Sequence, residues 1–292
     1  MGFVITGAQH AREWIATATG LYLTHALVAH PNPHPIPNTN ATDDLNHIPT
    51  NLHTLLDKFD FYVIPVPNPD GYDYTWESDR FWYKNRMKTG AGSKCVGVDM
   101  NRHCGYKWRP TVSLTASLNA SNPNQTQKSH RQSPNPPGDH PCSHWYPGSR
   151  PFQAPEVNHI ASFVETLPNL KAFVDLRSYG QMLSSPFSFT CSRLPNDAEN
   201  QLEAALGAVS ALRKPYGTMF NTGSLCSMFY RAHGNIVDWM YKSAGIKYSY
   251  AAHLRDTGTY GFALPPHLIR PVGEETAHMI EYLANFIAHI EK

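Results

Sequence analysis

Gly2-Phe-Val-Ile-Thr-Gly7, followed at once by His10-Ala-Arg-Glu13, is where the fold becomes readable. An apolar run of strand length between two glycines reads as a short buried strand. Residues 12–29 then read as a helix, with Ala16, Leu23 and Leu27 near one stripe. The alternation continues outward from there. Residues 52–57 read as a helical stretch and 59–66 as a strand, closed by turn chemistry in Asn68-Pro-Asp-Gly71. Residues 155–166 read as a helix with Pro at its start, and 171–176 as a strand. Asn196 is a plausible N-cap for a helix reaching 212. Another helix spans 235–244 and ends at Gly245, and 246–254 alternates like a strand. The last helix, 274–290, places Met279, Leu283, Phe286 and Ile290 on one face. Strands separated by helices predict an α/β fold, with a mixed, mostly parallel sheet covered on both faces. Chemistry in such folds collects at the carboxyl ends of the strands.

Composition narrows the partners. The 292 residues carry 24 Lys plus Arg against 23 Asp plus Glu, a formal net charge of +1. That balance argues against nucleic acid and anionic membrane, which need a basic face. Apolar residues at 41% and charged residues at 16% suit a globular chain. No apolar run approaches the roughly 18 residues of a membrane span. Residues 111–141 are rich in Ser, Asn, Gln and Pro and read as a polar surface insertion. Met1-Gly-Phe-Val-Ile has no basic n-region or cleavage site, so it reads as a strand rather than a signal peptide. The five cysteines and the glycosylation sequons at Asn40, Asn119 and Asn124 nevertheless point to a secreted-type protein.

His10 and Glu13 at a strand end can meet one divalent metal, and nitrogen plus oxygen ligation suits zinc. On its own the pair reads more readily as an exposed His and a Glu that favours a helix N-terminus. Further blocks change the weighting: Asn68-Pro-Asp-Gly-Tyr72, Gly97-Val-Asp-Met-Asn-Arg102, Asn235-Ile-Val-Asp-Trp239 and Leu254-Arg-Asp-Thr-Gly-Thr-Tyr-Gly-Phe262. With these the sequence resembles the zinc metallocarboxypeptidases of the pancreatic carboxypeptidase A/B type (peptidase M14). Phe81-Trp-Tyr-Lys-Asn-Arg86 and Ser178-Tyr-Gly-Gln-Met-Leu-Ser-Ser-Pro186 resemble most its fungal inactive branch, which is linked to cell-wall organisation.

The resemblance implies an eight-stranded mixed sheet, a zinc cofactor and hydrolysis of the last peptide bond. It places His10 and Glu13 as two metal ligands and Arg12 as a subsite residue between them. Asn101 and Arg102 match a clamp for the substrate carboxylate, where a bidentate guanidinium fits a planar anion. Tyr230 matches a mobile Tyr, Ser178 and Tyr179 the non-primed side, and Val237 a pocket floor suited to apolar C-terminal residues. It also implies disulfides Cys95–Cys142 and Cys191–Cys226, leaving Cys104 over. Since family domains begin before the His-x-x-Glu strand, residues 1–292 are expected to form one carboxypeptidase-like domain lacking its first strands. The full-length protein is then expected to be secreted or vacuolar.

Three positions depart from the family pattern, and all carry chemistry. The third zinc ligand is replaced by Arg177, the general base by His253, and the oxyanion Arg by Tyr83. A guanidinium about 4 Å from a dication costs about 8 kcal/mol at an effective dielectric of about 20. Complete zinc sites bind with only about 10–16 kcal/mol. Zinc is therefore expected to be held weakly or not at all, with Arg177 pairing to Glu13 in the vacated site. The expected function is an inactive carboxypeptidase fold that binds peptide or protein C-termini or acts in cell-wall organisation. Two alternatives stay open: His253 as a replacement ligand, and an active zinc exopeptidase that removes apolar C-terminal residues.

Overall fold

Strands β1 (Gly2–Thr6), β2 (Asp60–Ile64), β3 (Leu170–Arg177), β4 (Met182–Ser185), β5 (Asn221–Ser224) and β6 (Tyr248–His253) form one sheet in the order β2-β1-β3-β6-β4-β5. The computed structural model describes residues 1–29, 49, 52–90, 92–109 and 140–291. The three sequons and nearly all of the expected 111–141 insertion lie outside the described residues. Pairing is parallel from β2 through β1 and β3 to β6. β4 runs antiparallel to β6 and parallel to β5. The mixed, mostly parallel sheet is the expected one, with six strands among the described residues against the eight that the resemblance implies.

The helices are α1 (Trp14–Val28), α2 (Pro69–Glu77), α3 (Pro155–Thr166), α4 (Ala198–Leu212), α5 (Leu225–Met228), α6 (Ile236–Lys242) and α7 (Ile269–Ile290). Every residue of β1 is buried, because side chains alternate between two covered faces. Phe3 and Ile5 enter a core with Leu23, Ala208 and Leu283 of α1, α4 and α7. Val4 enters a second core with Ile160 and Trp239 of α3 and α6. Each large apolar side chain buried this way contributes about 1.5–3 kcal/mol. Gly7 ends the strand at a close approach, since a Cβ there would lie 2.1 Å from the Pro65 carbonyl oxygen.

Several boundaries differ from the sequence reading. Asn68 does not close a turn: it caps α2, its Oδ1 accepting from the Gly71 N–H at 3.1 Å. The N-cap of α4 is Asp197 rather than Asn196, and its carboxylate accepts from the Tyr241 hydroxyl instead of capping. α7 begins at Ile269, because Pro271 falls in the first turn, where its missing N–H costs nothing. β4 and β5 are additional short strands, largely polar in sequence.

Candidate functional site

Three neighbouring strands deliver the site from their carboxyl ends. β1 leads to His10 and Glu13, β3 ends on Arg177, and β6 ends on His253, which pairs in register with Arg177. Together with Arg12, Tyr83, Asn101, Arg102, Ser178, Tyr179 and Tyr230 they line a cleft of about 420 Å³. The turn between β1 and α1 is closed by the Glu13 N–H donating to the His10 carbonyl at 3.0 Å. This sets both side chains toward β3.

Arg177 fills the space between them. Its Nε donates to Glu13 Oε2 at 2.9 Å and its Nη2 to Glu13 Oε1 at 3.1 Å, a two-pronged ion pair. The Ser178 N–H donates to Glu13 Oε2 at 3.1 Å, so both carboxylate oxygens are engaged. Nη1 donates to Asp175 Oδ2 at 3.1 Å, and Asp175 also accepts from the Thr6 hydroxyl at 2.8 Å. His10 Nε2 lies 2.8 Å from Asp99 Oδ1. With the proton on Nε2, the His10 Nδ1 lone pair accepts from Arg177 Nη2.

The electrostatics follow from this geometry. Burial alone would push Glu13 up, but the charge and hydrogen bonds of the Arg177 guanidinium hold it well below the usual carboxylate range. Burial opposes the charge of Arg177, and Glu13 and Asp175 more than offset this, raising its pKa further. Because Glu13 takes the two-pronged contact, burial dominates at Asp175 and moves it upward. Asp99 is pushed up by burial but held low by His10 and Arg102. Burial, then the positive charge of Arg177, depresses His253 to about 3, so its imidazole is neutral and a poor base near neutrality.

These residues do not fit a zinc ion. Glu13 and His10 present their lone pairs to a guanidinium, and the third position offers only N–H donors. His253 does not complete a substitute set. Among the described residues, only Cys95, His140 and Cys142 bring three metal-donor atoms within 4.8 Å of one another. The two sulfurs there are bonded to each other in a disulfide and offer no thiolate.

The clamp residues are arranged differently. Arg102 Nη2 donates to the Tyr230 hydroxyl at 3.1 Å and Nη1 to the Asn101 carbonyl at 3.0 Å. Asn101 Oδ1 accepts from the Ile236 N–H at 3.1 Å. Gly234 supports this loop: with φ at +67°, a Cβ there would lie 2.4 Å from the Arg102 carbonyl oxygen. Tyr230 is 51% exposed and covers the guanidinium from the solvent side.

Tyr83 stacks its ring 3.6 Å from that of His10, and its hydroxyl donates to Asp99 Oδ2 at 3.4 Å. Arg12 lies over the Phe262 ring at 4.0 Å, with its Nε unpartnered among the described residues. Tyr179 packs against Phe262 and Ser178 is buried. Val237, expected at the pocket floor, is 1% exposed, packs in the second core, and is not among the residues lining the cleft. At the second position of α6 it joins the core that also holds Phe173 and Ala251. The disulfides Cys95–Cys142 and Cys191–Cys226 are present, and Cys104 is free, buried and shifted strongly upward by burial.

The sequence reading gave no role to Asp99, Asp175, Trp145, Phe229 or Phe262. A signal existed for two of them. Asp175 stands two residues before Arg177 on one strand face, and Asp99 opens the turn that carries Asn101 and Arg102.

A sequence profile described as zinc carboxypeptidase matches residues 1–279. The chain is 39% identical over 277 residues to a metallocarboxypeptidase A-like protein of Trichophyton verrucosum, covering 94% of this chain and 55% of that protein. It is 34% identical to the inactive metallocarboxypeptidase ECM14 of Ajellomyces dermatitidis, covering 97% and 45%. It is 36% identical to carboxypeptidase B of Astacus astacus, covering 97% and 80%. The chain thus spans about half the length of these two fungal relatives. Among solved structures, bovine thrombin-activatable fibrinolysis inhibitor in complex with tick carboxypeptidase inhibitor superposes with a TM-score of 0.77 at 31% identity, covering 99% of this chain and 82% of that one. Carboxypeptidase A from Helicoverpa armigera gives 0.73 at 25%, covering 99% and 61%. Profile, relatives and fold agree with the geometry of the strand ends, and the chain belongs to the zinc carboxypeptidase family.

Proposed function

We propose that this chain is a carboxypeptidase-fold protein that does not hydrolyse peptides, holds zinc weakly or not at all, and binds peptide or protein C-termini at Asn101, Arg102 and Tyr230. The observation that carries this reading is the Arg177 guanidinium seated on Glu13 and His10. Two further features support it. The Tyr83 hydroxyl is spent on Asp99, and His253 is a neutral imidazole where the family places a carboxylate base. Loss of a general base forfeits roughly 10² to 10⁴ in rate. Loss of an oxyanion donor forfeits roughly 10² to 10³, and the two need not multiply. The two disulfides suit an oxidising compartment and so a secreted or vacuolar protein, and the sequence blocks that resemble the fungal inactive branch support a part in cell-wall organisation.

The test pairs hydrolysis with binding. Reporter peptides ending in Phe or Leu are expected to survive with or without added zinc. The same C-termini are expected to bind, and their amidated forms to bind more weakly. A second reading, a working zinc exopeptidase, draws on the Nδ1 of His253, buried and unpartnered among the described residues in the same cleft. Chelator-sensitive release of Phe or Leu selects that reading.

A further inference from the structure

On the far side of Tyr83 lies a second cavity of about 390 Å³, and Tyr83 is the only described residue lining both it and the cleft. Its walls combine the rings of Tyr74, Phe81 and Trp82 with the cations Lys84, Arg86 and Lys94. None of these cations is ion-paired among the described residues. The only carboxylate in the lining is Asp79, one oxygen of which accepts from the Phe81 N–H at 2.9 Å. Lys84 is 5% exposed, and its ammonium gives one hydrogen bond, to the Pro141 carbonyl at 2.7 Å. Two of its three donors remain. The Arg86 guanidinium lies in the corner of two rings that meet edge to face, 3.7 Å from Tyr74 and 4.5 Å from Trp82, and its N–H groups meet no acceptor among the described residues. The cation–π contacts hold the guanidinium in place and leave its charge free for an oxyanion.

We propose that this cavity binds an aromatic oxyanion ester, an aryl phosphate or aryl sulfate. The oxyanion sits on Lys84, Arg86 and Lys94, and the ring lies against Trp82 and Phe81. Three cations against one carboxylate favour the dianionic phosphate over the monoanionic sulfate. The site stands whether or not the neighbouring cleft hydrolyses peptides.

Titration calorimetry on the whole chain tests it, with phenyl phosphate, phenyl sulfate and inorganic phosphate as probes. Phenyl phosphate is expected to saturate one site, about tenfold more tightly than inorganic phosphate, with phenyl sulfate between them. Arg86→Met is expected to weaken phenyl phosphate by about tenfold or more. The exposed Lys94→Gln, which does not endanger folding, is expected to weaken it about threefold. A short phosphotyrosine peptide that binds more tightly than phenyl phosphate assigns a protein-borne ligand, and equal binding a free small molecule. Phenyl phosphate binding no better than inorganic phosphate, or binding unchanged in Lys94→Gln, overturns the proposal.

Discussion

Arg177 and Arg102 line the same cleft, yet Arg177 gives its donors to Glu13, Asp175 and His10, while Arg102 gives its own to a tyrosine hydroxyl and a backbone carbonyl. The first arginine is closed by carboxylates that the fold itself supplies. The second forms no ion pair among the described residues, with Asp99 acting on it only at a distance. A buried charge is tolerated only where partners are built around it. The Arg177 end of the cleft is therefore an internal ion cluster, and the Arg102 end keeps a guanidinium with no carboxylate partner among the described residues.

Breaking the Arg177 end has the largest expected effect. Arg177→Met strands Glu13 and Asp175 in the interior and is expected to cost about 3–5 kcal/mol, read by urea unfolding. A cost under about 1 kcal/mol, the range of exposed pairs, shows that the cluster is not closed as described. The clamp end comes next. Arg102→Gln removes a charge-assisted bond of about 1.5–3 kcal/mol and is expected to weaken C-terminal peptides about tenfold to a hundredfold. The amidated peptides are expected to bind alike to both forms, and an equal loss for them removes the clamp as the cause.

A third effect is in pH dependence. His253 is held at about 3 in the fold, against about 6.5 in an unfolded chain. Between those values the unfolded state binds more protons. The contribution of His253 to stability is therefore complete above about 6.5 and is lost as the pH falls toward 3. His253→Asn is expected to flatten the melting temperature against pH in that window. An unchanged slope contradicts a buried neutral imidazole. Glu13 works in the same sense: held low, it stabilises above the ordinary carboxylate range and loses that effect only in stronger acid.

Much of this comparison is legible in the chain itself. The apolar run before His10, the Pro-started helix at 155 and the sequence blocks identify the sheet and its active end, because local pattern and strand order dictate them. Arg177 at a ligand position already argues against zinc on charge alone. Its partners are another matter, because Asp99, Asp175 and Tyr83 meet His10 and Arg177 only after three strands and a loop are assembled. β4 and β5 escape notice because Met-Leu-Ser-Ser and Asn-Thr-Gly-Ser carry neither length nor β-branched alternation. The burial of Val237 is hidden for a similar reason: its position in the motif is visible, but its place in the second core is not.

Zinc content decides the central claim most directly. The purified chain, incubated with excess zinc, desalted and analysed by plasma mass spectrometry, is expected to hold far less than one ion per chain, and Arg177→His is expected to raise that uptake. One tightly held zinc per chain in the unaltered protein contradicts the account.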